Sequence, residues 1–295
     1  MVTVIIPALN EEKTIAQVIR IVKRSSSTSE IIVIDDKSTD NTVQEAIREH
    51  VRVFTSSKRG KGTSMMEGIM LASHDIIAFV DADITTYPDD VIDRLTRPII
   101  NQEADFVKSY FDRQAGRVTE LVAKPLLKFL FPSISHFRQP LSGMIAGKKA
   151  MFEKLMIDED YGVDIGILID MHRNGARIQE VSLGYIENRM QTIPQLAKMS
   201  SEVTKAILQR SGQLLEGTID LITGKSFQTN DPQIDFALKE NKNHYRQMAI
   251  FDMDRTLLLD SFIHTLARKR DFTDSLSAIS AEMINPFLRI KKIAR

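Results

Sequence analysis

The chain has 295 residues, enough for one large α/β domain of roughly 200–250 residues or for two smaller ones. Its 39 basic and 39 acidic side chains cancel to a formal charge of zero, which excludes a global field drawing it to nucleic acid or to an anionic membrane, so any bound anion must be held by local groups. With no cysteine, disulfides and thiolate metal sites are excluded as well.

The N-terminal run Val2-Thr3-Val4-Ile5-Ile6-Pro7 reads as a strand and lacks the basic head, longer apolar segment and cleavage site of a secretion signal. No stretch approaches the roughly 18 continuous apolar residues of a bilayer span. A soluble cytoplasmic protein is therefore expected. After the first strand, Ile15, Val18, Ile19 and Val22 recur at helical spacing, and Ile31-Ile32-Val33-Ile34 reads as strand again, which makes a βαβ unit. The pattern predicts a helix at 40–49, a strand near 51–54, a helix at about 61–72, a strand at 75–80 and a helix opening near Pro88. Segment 102–147 is less regular, with a loop at 112–118 entering a helix that carries Leu121, Val122, Leu126 and Leu127. Residues 161–185 read as helix, Gly-containing turn and strand, and a long helix follows from about 195 to 222. A polar linker is expected over 223–247, and a fresh strand begins at 248. Such alternation predicts a mostly parallel sheet covered by helices, with ligands outside the carboxyl ends of its strands.

Four acidic residues fall at such ends: Asp35, Asp36, Asp81 and Asp83. At a strand end the chain can bend so that two carboxylates one residue apart converge, and converging anions require a cation. Oxygen-only ligands favour Mg²⁺ or Mn²⁺, completed by substrate phosphates and waters. The loops IPALNEE (6–12), VIDDKSTDNT (33–42) and KRGKG (58–62) share the same predicted edge. Asp35 and Asp36 can accept hydrogen bonds from a nucleobase or ribose, and Lys61, between two glycines, can approach a phosphate. Gly60 and Gly62 can equally be a simple turn. A Walker-type loop is excluded, because the first glycine is missing and no Ser or Thr follows the lysine directly.

Together these loops resemble the nucleotide-sugar half of GT-A glycosyltransferases. The stretches GRVTELVAKPLLKFLFP (116–132), QPLSGMIAG (139–147), YGVDIGILIDMHRNG (161–175) and VSLGYIENR (181–189) resemble the glucosyl-3-phosphoglycerate synthases, over about residues 1–215. The resemblance implies a GT-A, Rossmann-like domain over 1–222. It also implies transfer of glucose or a related hexose from a nucleoside diphosphate sugar to 3-phosphoglycerate, with retained anomeric configuration and Mg²⁺ or Mn²⁺ as cofactor. Carried over by position, Pro7, Ala8, Leu9, Glu11, Asp36, Ser38, Lys61, Asp81 and Leu141 hold the donor. Asp81 and Asp83 hold the metal, with Asn188 standing where the family has a histidine. Gly116, Arg117 and Thr119 grip the acceptor, and Asp164, Asp83 and Lys61 carry the chemistry. A homodimer is expected from the same resemblance, with no nucleic acid and no membrane as partner.

The stretch AIFDMDRTLLLDSF (249–262) is an apolar strand followed by Asp-x-Asp-x-Thr. It resembles the first motif of haloacid dehalogenase-like phosphatases, in which Asp252 corresponds to the nucleophile and Asp254 to the acid–base group. Residues 248–295 are read as a truncated, inactive segment of that kind. Two alternatives stay open: a GT-A transferase acting on a polyprenyl phosphate, with LLKFLFPSISHF (126–137) docking on a membrane, and a nucleotide-sugar-binding protein without turnover. In the bland reading of that stretch, Leu126, Leu127, Leu130 and Phe131 face the core or a partner subunit.

Overall fold

Short β-branched runs alternate with amphipathic stretches from the first residue, and strands and helices follow them. In the computed structural model, which describes residues 1–112, 116–187 and 192–212, β1 is Val2–Ala8, α1 Ile15–Val22, β2 Thr28–Asp35 and α2 Thr42–Arg48. Next come β3 Arg52–Thr55, α3 Lys61–Leu71, β4 Ile76–Phe79 and α4 Val91–Ile100. The second half adds β5 Phe106–Asp112, a π-helical turn at Thr119–Ala123, α5 Lys124–Leu130, β6 Ile145–Lys148, α6 Lys149–Phe152, α7 Val163–Arg173, β7 Ile178–Tyr185 and α8 Ile193–Ser211.

The strands form one seven-stranded sheet in the order β3-β2-β1-β4-β6-β5-β7. Only β6 opposes its neighbours; it pairs antiparallel with β4 and β5, while the remaining pairs are parallel. The carboxyl ends of β1, β2, β4 and β5 therefore lie along one edge, as the sequence pattern predicts.

Period-two alternation splits the core in two. Val4, Ile6 and Val33 face one side, under Ile15, Val18 and Ile19 of α1 and Ile92 and Leu95 of α4. Ile5, Ile32, Ile34, Phe79 and Phe106 face the other, under Met65 and Ile69 of α3, Leu127 of α5, Ile165 and Ile169 of α7 and Ile207 of α8.

Segment 102–147 is more regular than its sequence suggests, since it supplies two of the sheet's strands. The signal is weak because β6 has only four residues and because Lys108 and Ser109, both 0% exposed, interrupt the apolar run of β5. The helix expected near Pro88 begins at Val91. The last helix starts at Ile193, slightly earlier than expected, because Thr192 caps it: its backbone N–H and hydroxyl both donate to Gln195 Oε1, at 2.9 and 2.8 Å. Leu127 and Phe131 are buried and Leu126 and Leu130 pack against the same core, as in the bland reading of that stretch. Among the described residues no helix is long and apolar enough to cross a membrane. Asn188, the linker at 223–247 and the phosphatase-like motif with Asp252 and Asp254 lie outside the described residues.

Candidate active site

The turn after β4 carries Asp81 and Asp83 and is pinned by a buried phenol. Asp81 N–H donates to the Tyr87 hydroxyl at 2.9 Å, and that hydroxyl donates to the Asp81 carbonyl at 3.0 Å. Burial pushes the Asp83 carboxyl up to about 6, and the neighbouring charges of Asp81 and Glu11 push in the same direction. A cation would relieve this repulsion, and an oxygen-only pair suits a hard divalent ion whose other ligands are phosphate and water. Among the described residues no group of three or more acidic or histidine side chains is arranged to hold an ion by itself.

Lys61 opens α3 and points into the same place. Its Nζ lies 3.1 Å from Asp81 Oδ1 and 2.9 Å from Asp164 Oδ2. Burial works against the ammonium, but Asp164 and Asp81 outweigh it and hold its pKa well above the lysine range. Asp164, in the first turn of α7, is 2% exposed. Its Oδ1 is buried without a hydrogen-bond partner among the described residues, so one acceptor of this carboxylate is unused.

Gly60 and Gly62 do more than turn the chain. A Cβ on Gly62 would stand 1.6 Å from the Asp158 carbonyl oxygen, and one on Gly60 would stand 2.3 Å from that of Glu159. Gly62 N–H also donates to the Glu159 carbonyl at 3.1 Å. The two glycines thus let the 158–159 backbone lie against the lysine loop and fix where Lys61 begins.

The loops after β1 and β2 lie side by side, since Ala8 pairs with Asp35. Asn10 N–H donates to Ser38 Oγ at 3.0 Å, and Glu11 N–H donates to Thr42 Oγ1 at 2.7 Å. Pro7 and Ala8 end β1, and Leu9 is 37% exposed beside them. The two carboxylates expected to meet a base or ribose already serve the backbone: Asp35 Oδ1 accepts from Ser38 N–H at 3.1 Å and Asp36 Oδ1 from Gly60 N–H at 2.8 Å.

A family model described as glycosyl transferase family 2 matches residues 3–160. The glucosyl-3-phosphoglycerate synthase of Petrotoga mobilis is 34% identical over 276 residues, covering 84% of this chain and 83% of that protein. The chain belongs to the glucosyl-3-phosphoglycerate synthase family. The family member from Mycolicibacterium smegmatis is 33% identical over 235 residues, with 72% of this chain and 78% of that protein covered. Crystal structures of the Mycobacterium tuberculosis synthase superpose with a TM-score of 0.70 at 35% identity, over 74% of this chain and 82% of that one. That protein has been crystallised with phosphoglyceric acid, and with Mn²⁺, UDP-glucose and phosphoglyceric acid together. The GT-A-like fold and glycosyltransferase class inferred from the sequence are those of this family.

Of the residues that the resemblance to the glucosyl-3-phosphoglycerate synthases singles out, the structure brings Lys61, Asp81 and Asp164 into contact and sets Asp83 and Glu11 close enough to interact. Leu141 lies in the loop before β6, two residues from Gly143. A Cβ on Gly143 would come 2.6 Å from Lys61 Nζ and 2.7 Å from Asp81 Oδ1. Gly116, Arg117 and Thr119 enter the π-helical turn. Thr119 is buried, while Arg117 is exposed and makes no ion pair or hydrogen bond to the described residues. Sequence reasoning missed Tyr87, Lys108 and Gly143. A lysine inside the apolar strand FVKSYF was a readable signal for Lys108; nothing local marks the other two.

Proposed function

We propose that this member of the glucosyl-3-phosphoglycerate synthase family transfers glucose from UDP-glucose to the hydroxyl of 3-phosphoglycerate, with the anomeric configuration retained. The observation that carries the reading is Lys61, held between Asp81 at the strand end and Asp164 on α7. UDP-glucose is preferred over a guanosine donor because the Mycobacterium tuberculosis relative is crystallised with UDP-glucose and phosphoglyceric acid.

In this reading the loops at 7–11 and 36–38 frame the nucleotide, with Leu141 on the opposite side. Asp81 and Asp83 would hold Mg²⁺ or Mn²⁺, the ions found with UDP or UDP-glucose in the solved relative, and Asn188, at the position of the family's histidine, would be the third ligand. When bound, the ion neutralises charge on the diphosphate. Lys61 delivers an ammonium to the departing diphosphate, where preorganised charge counts most in the transition state. The unpartnered Oδ1 of Asp164 accepts a hydrogen bond from the sugar and stabilises positive charge developing at its anomeric carbon. Arg117, with Gly116 and Thr119, binds the phosphate or carboxylate of the acceptor and so holds its hydroxyl for attack on the face the diphosphate leaves, the departing diphosphate oxygen taking the hydroxyl proton as the sugar–phosphate bond breaks.

Incubating the full chain with UDP-glucose, GDP-glucose or GDP-mannose, 3-phosphoglycerate and Mg²⁺ or Mn²⁺ tests the reading. Release of UDP that depends on 3-phosphoglycerate is the expected result. Donor binding without acceptor-dependent release, on every donor and with both ions, would overturn it.

A further inference from the structure

Lys108 lies on β5 with 0% exposure, on the sheet face that α7 covers. Its Nζ donates to the backbone carbonyl of Asp164 at 2.8 Å. A carbonyl in the first turn of an α-helix already receives the N–H four residues on, so the lysine adds a second hydrogen bond to an acceptor that the helix leaves satisfied without it. Burying an ammonium is costly, and an apolar side chain of the same length would be the ordinary occupant of a sheet face under a helix. Lysines therefore reach Asp164 at two places: Lys61 at its carboxylate, 2.9 Å away, and Lys108 at its main chain. Tyr87 and Gly143 act on the Asp81 side of the cleft; Lys108 is the group behind the Asp164 side.

We propose that Lys108 is a positioning residue for the transfer reaction: its buried ammonium fixes the first turn of α7 and supplies the fixed positive charge beneath Asp164, so that the carboxylate stays paired with Lys61 and turns its free oxygen to the sugar. The charged groups that face it are Asp164 on α7, Lys61 on α3, Asp81 after β4 and Glu180 on β7. Burial pushes the Lys108 ammonium down to about 8, with Asp164 opposing that fall and Lys61 adding to it. The charge is thus present at neutral pH and is lost as pH rises through about 8. This inference rests on the transfer reaction proposed above.

The test is steady-state kinetics of the full-length wild type, Lys108→Met and Lys108→Gln with UDP-glucose and 3-phosphoglycerate, from pH 6.5 to 9.5 (roughly 1.5 units either side of the expected midpoint), with melting temperature and UDP affinity measured alongside. Lys108→Met removes the charge at nearly equal volume, and Lys108→Gln keeps an N–H donor without charge. The expected result is a fall in kcat of about ten- to a hundredfold in both variants, by analogy with the loss of groups that orient metal-ligating side chains from behind. UDP affinity should hold within about threefold, and the fall of wild-type kcat above about pH 8 should be absent from both variants. Unchanged kcat in Lys108→Met would overturn the proposal. So would a loss of kcat that tracks a loss of folding or of UDP affinity, and so would full activity in Lys108→Gln, which would reduce the role of the lysine to its hydrogen bond. A wild type without acceptor-dependent UDP release would overturn the reaction and this role together, whereas full kcat in Lys108→Met with an active wild type overturns this role alone.

Discussion

Lys61 and Asp164 are 103 residues apart in the chain, and their side chains meet at 2.9 Å between Nζ and Oδ2. The contact ties the glycine loop that opens α3 to the first turn of α7, and through Asp81 it ties both to the strand-end carboxylates. Removing Lys61 leaves the buried Asp164 carboxylate without its cation, whereas removing Asp164 leaves Lys61 with Asp81 alone, so the cleft depends on the lysine more than on either acid.

Lys61→Met removes the cation while keeping the length of the side chain. Transfer should fall by about a hundred- to a thousandfold in kcat, the usual cost of losing one preorganised group at a developing anion. UDP release under saturating substrates measures it, and kcat within threefold of wild type would remove Lys61 from the chemistry.

Gly143→Ala tests the closeness of the cleft wall. The added methyl would stand 2.6 Å from Lys61 Nζ and 2.7 Å from Asp81 Oδ1, so one or both must move. A displacement of about 1 Å at reacting groups costs on the order of a hundredfold, and kcat/KM should fall by about that factor while the far-ultraviolet circular dichroism is unchanged. Wild-type kinetics in this variant would mean that the contact relaxes freely.

Asp83→Asn separates repulsion from ion binding. Without an ion, Asp83 sits against Asp81 and Glu11 and its carboxyl is raised to about 6, so the neutral isostere should leave the metal-free melting temperature equal or higher. The same change should abolish the gain in UDP-glucose affinity that Mg²⁺ or Mn²⁺ provides. Calorimetry with and without the ion checks both halves, and an undiminished metal effect would exclude Asp83 as a ligand.

Arg117→Ala addresses the acceptor. The guanidinium is exposed and makes no ion pair or hydrogen bond to the described residues, so its loss costs the fold little. Losing a charge-assisted hydrogen bond costs about 1.5–3 kcal/mol, which corresponds to a rise of about ten- to a hundredfold in the KM for 3-phosphoglycerate. Lysine should restore only part of it, lacking the planar fork. The KM for the donor should stay constant, and an unchanged KM for 3-phosphoglycerate would assign the acceptor to other residues.

Glu30, at the end of the sheet away from the cleft, carries a pH-dependent part of the stability. Burial opposes its charge, but Thr3, Ser73 and Arg52 outweigh burial and hold it at about 2, below the ordinary 4.5. Its contribution is therefore complete above about pH 4.5, where folded and unfolded chains are both ionised, and is lost as pH falls toward 2. Glu30→Gln should lower urea stability by about 1.5–3 kcal/mol at pH 7, with the gap between wild type and variant narrowing below about pH 4.5 and closing as the pH approaches 2. A gap that does not narrow with falling pH would mean that the charge is not the source of the contribution.

The sequence by itself determined what depends on near neighbours in the chain. Alternation in Val4, Ile5 and Ile6 set a two-faced strand, the spacing of Ile15, Val18, Ile19 and Val22 set the first helix, and a strand ending in Asp81 and Asp83 marked the cleft edge. The motifs around Arg117 and Asp164 carried the family. Only the tertiary structure decided which charges meet. β5 and β6 escaped notice because Lys108 and Ser109 break one apolar run and the other is four residues long. The pairing of Lys61 with Asp164, the approach of Gly143 to Lys61 and Asp81, and the contact of Lys108 with the Asp164 main chain depend on where β6 inserts and how α7 lies on the sheet. Those positions follow from the packing of two whole core faces, and no local period encodes them.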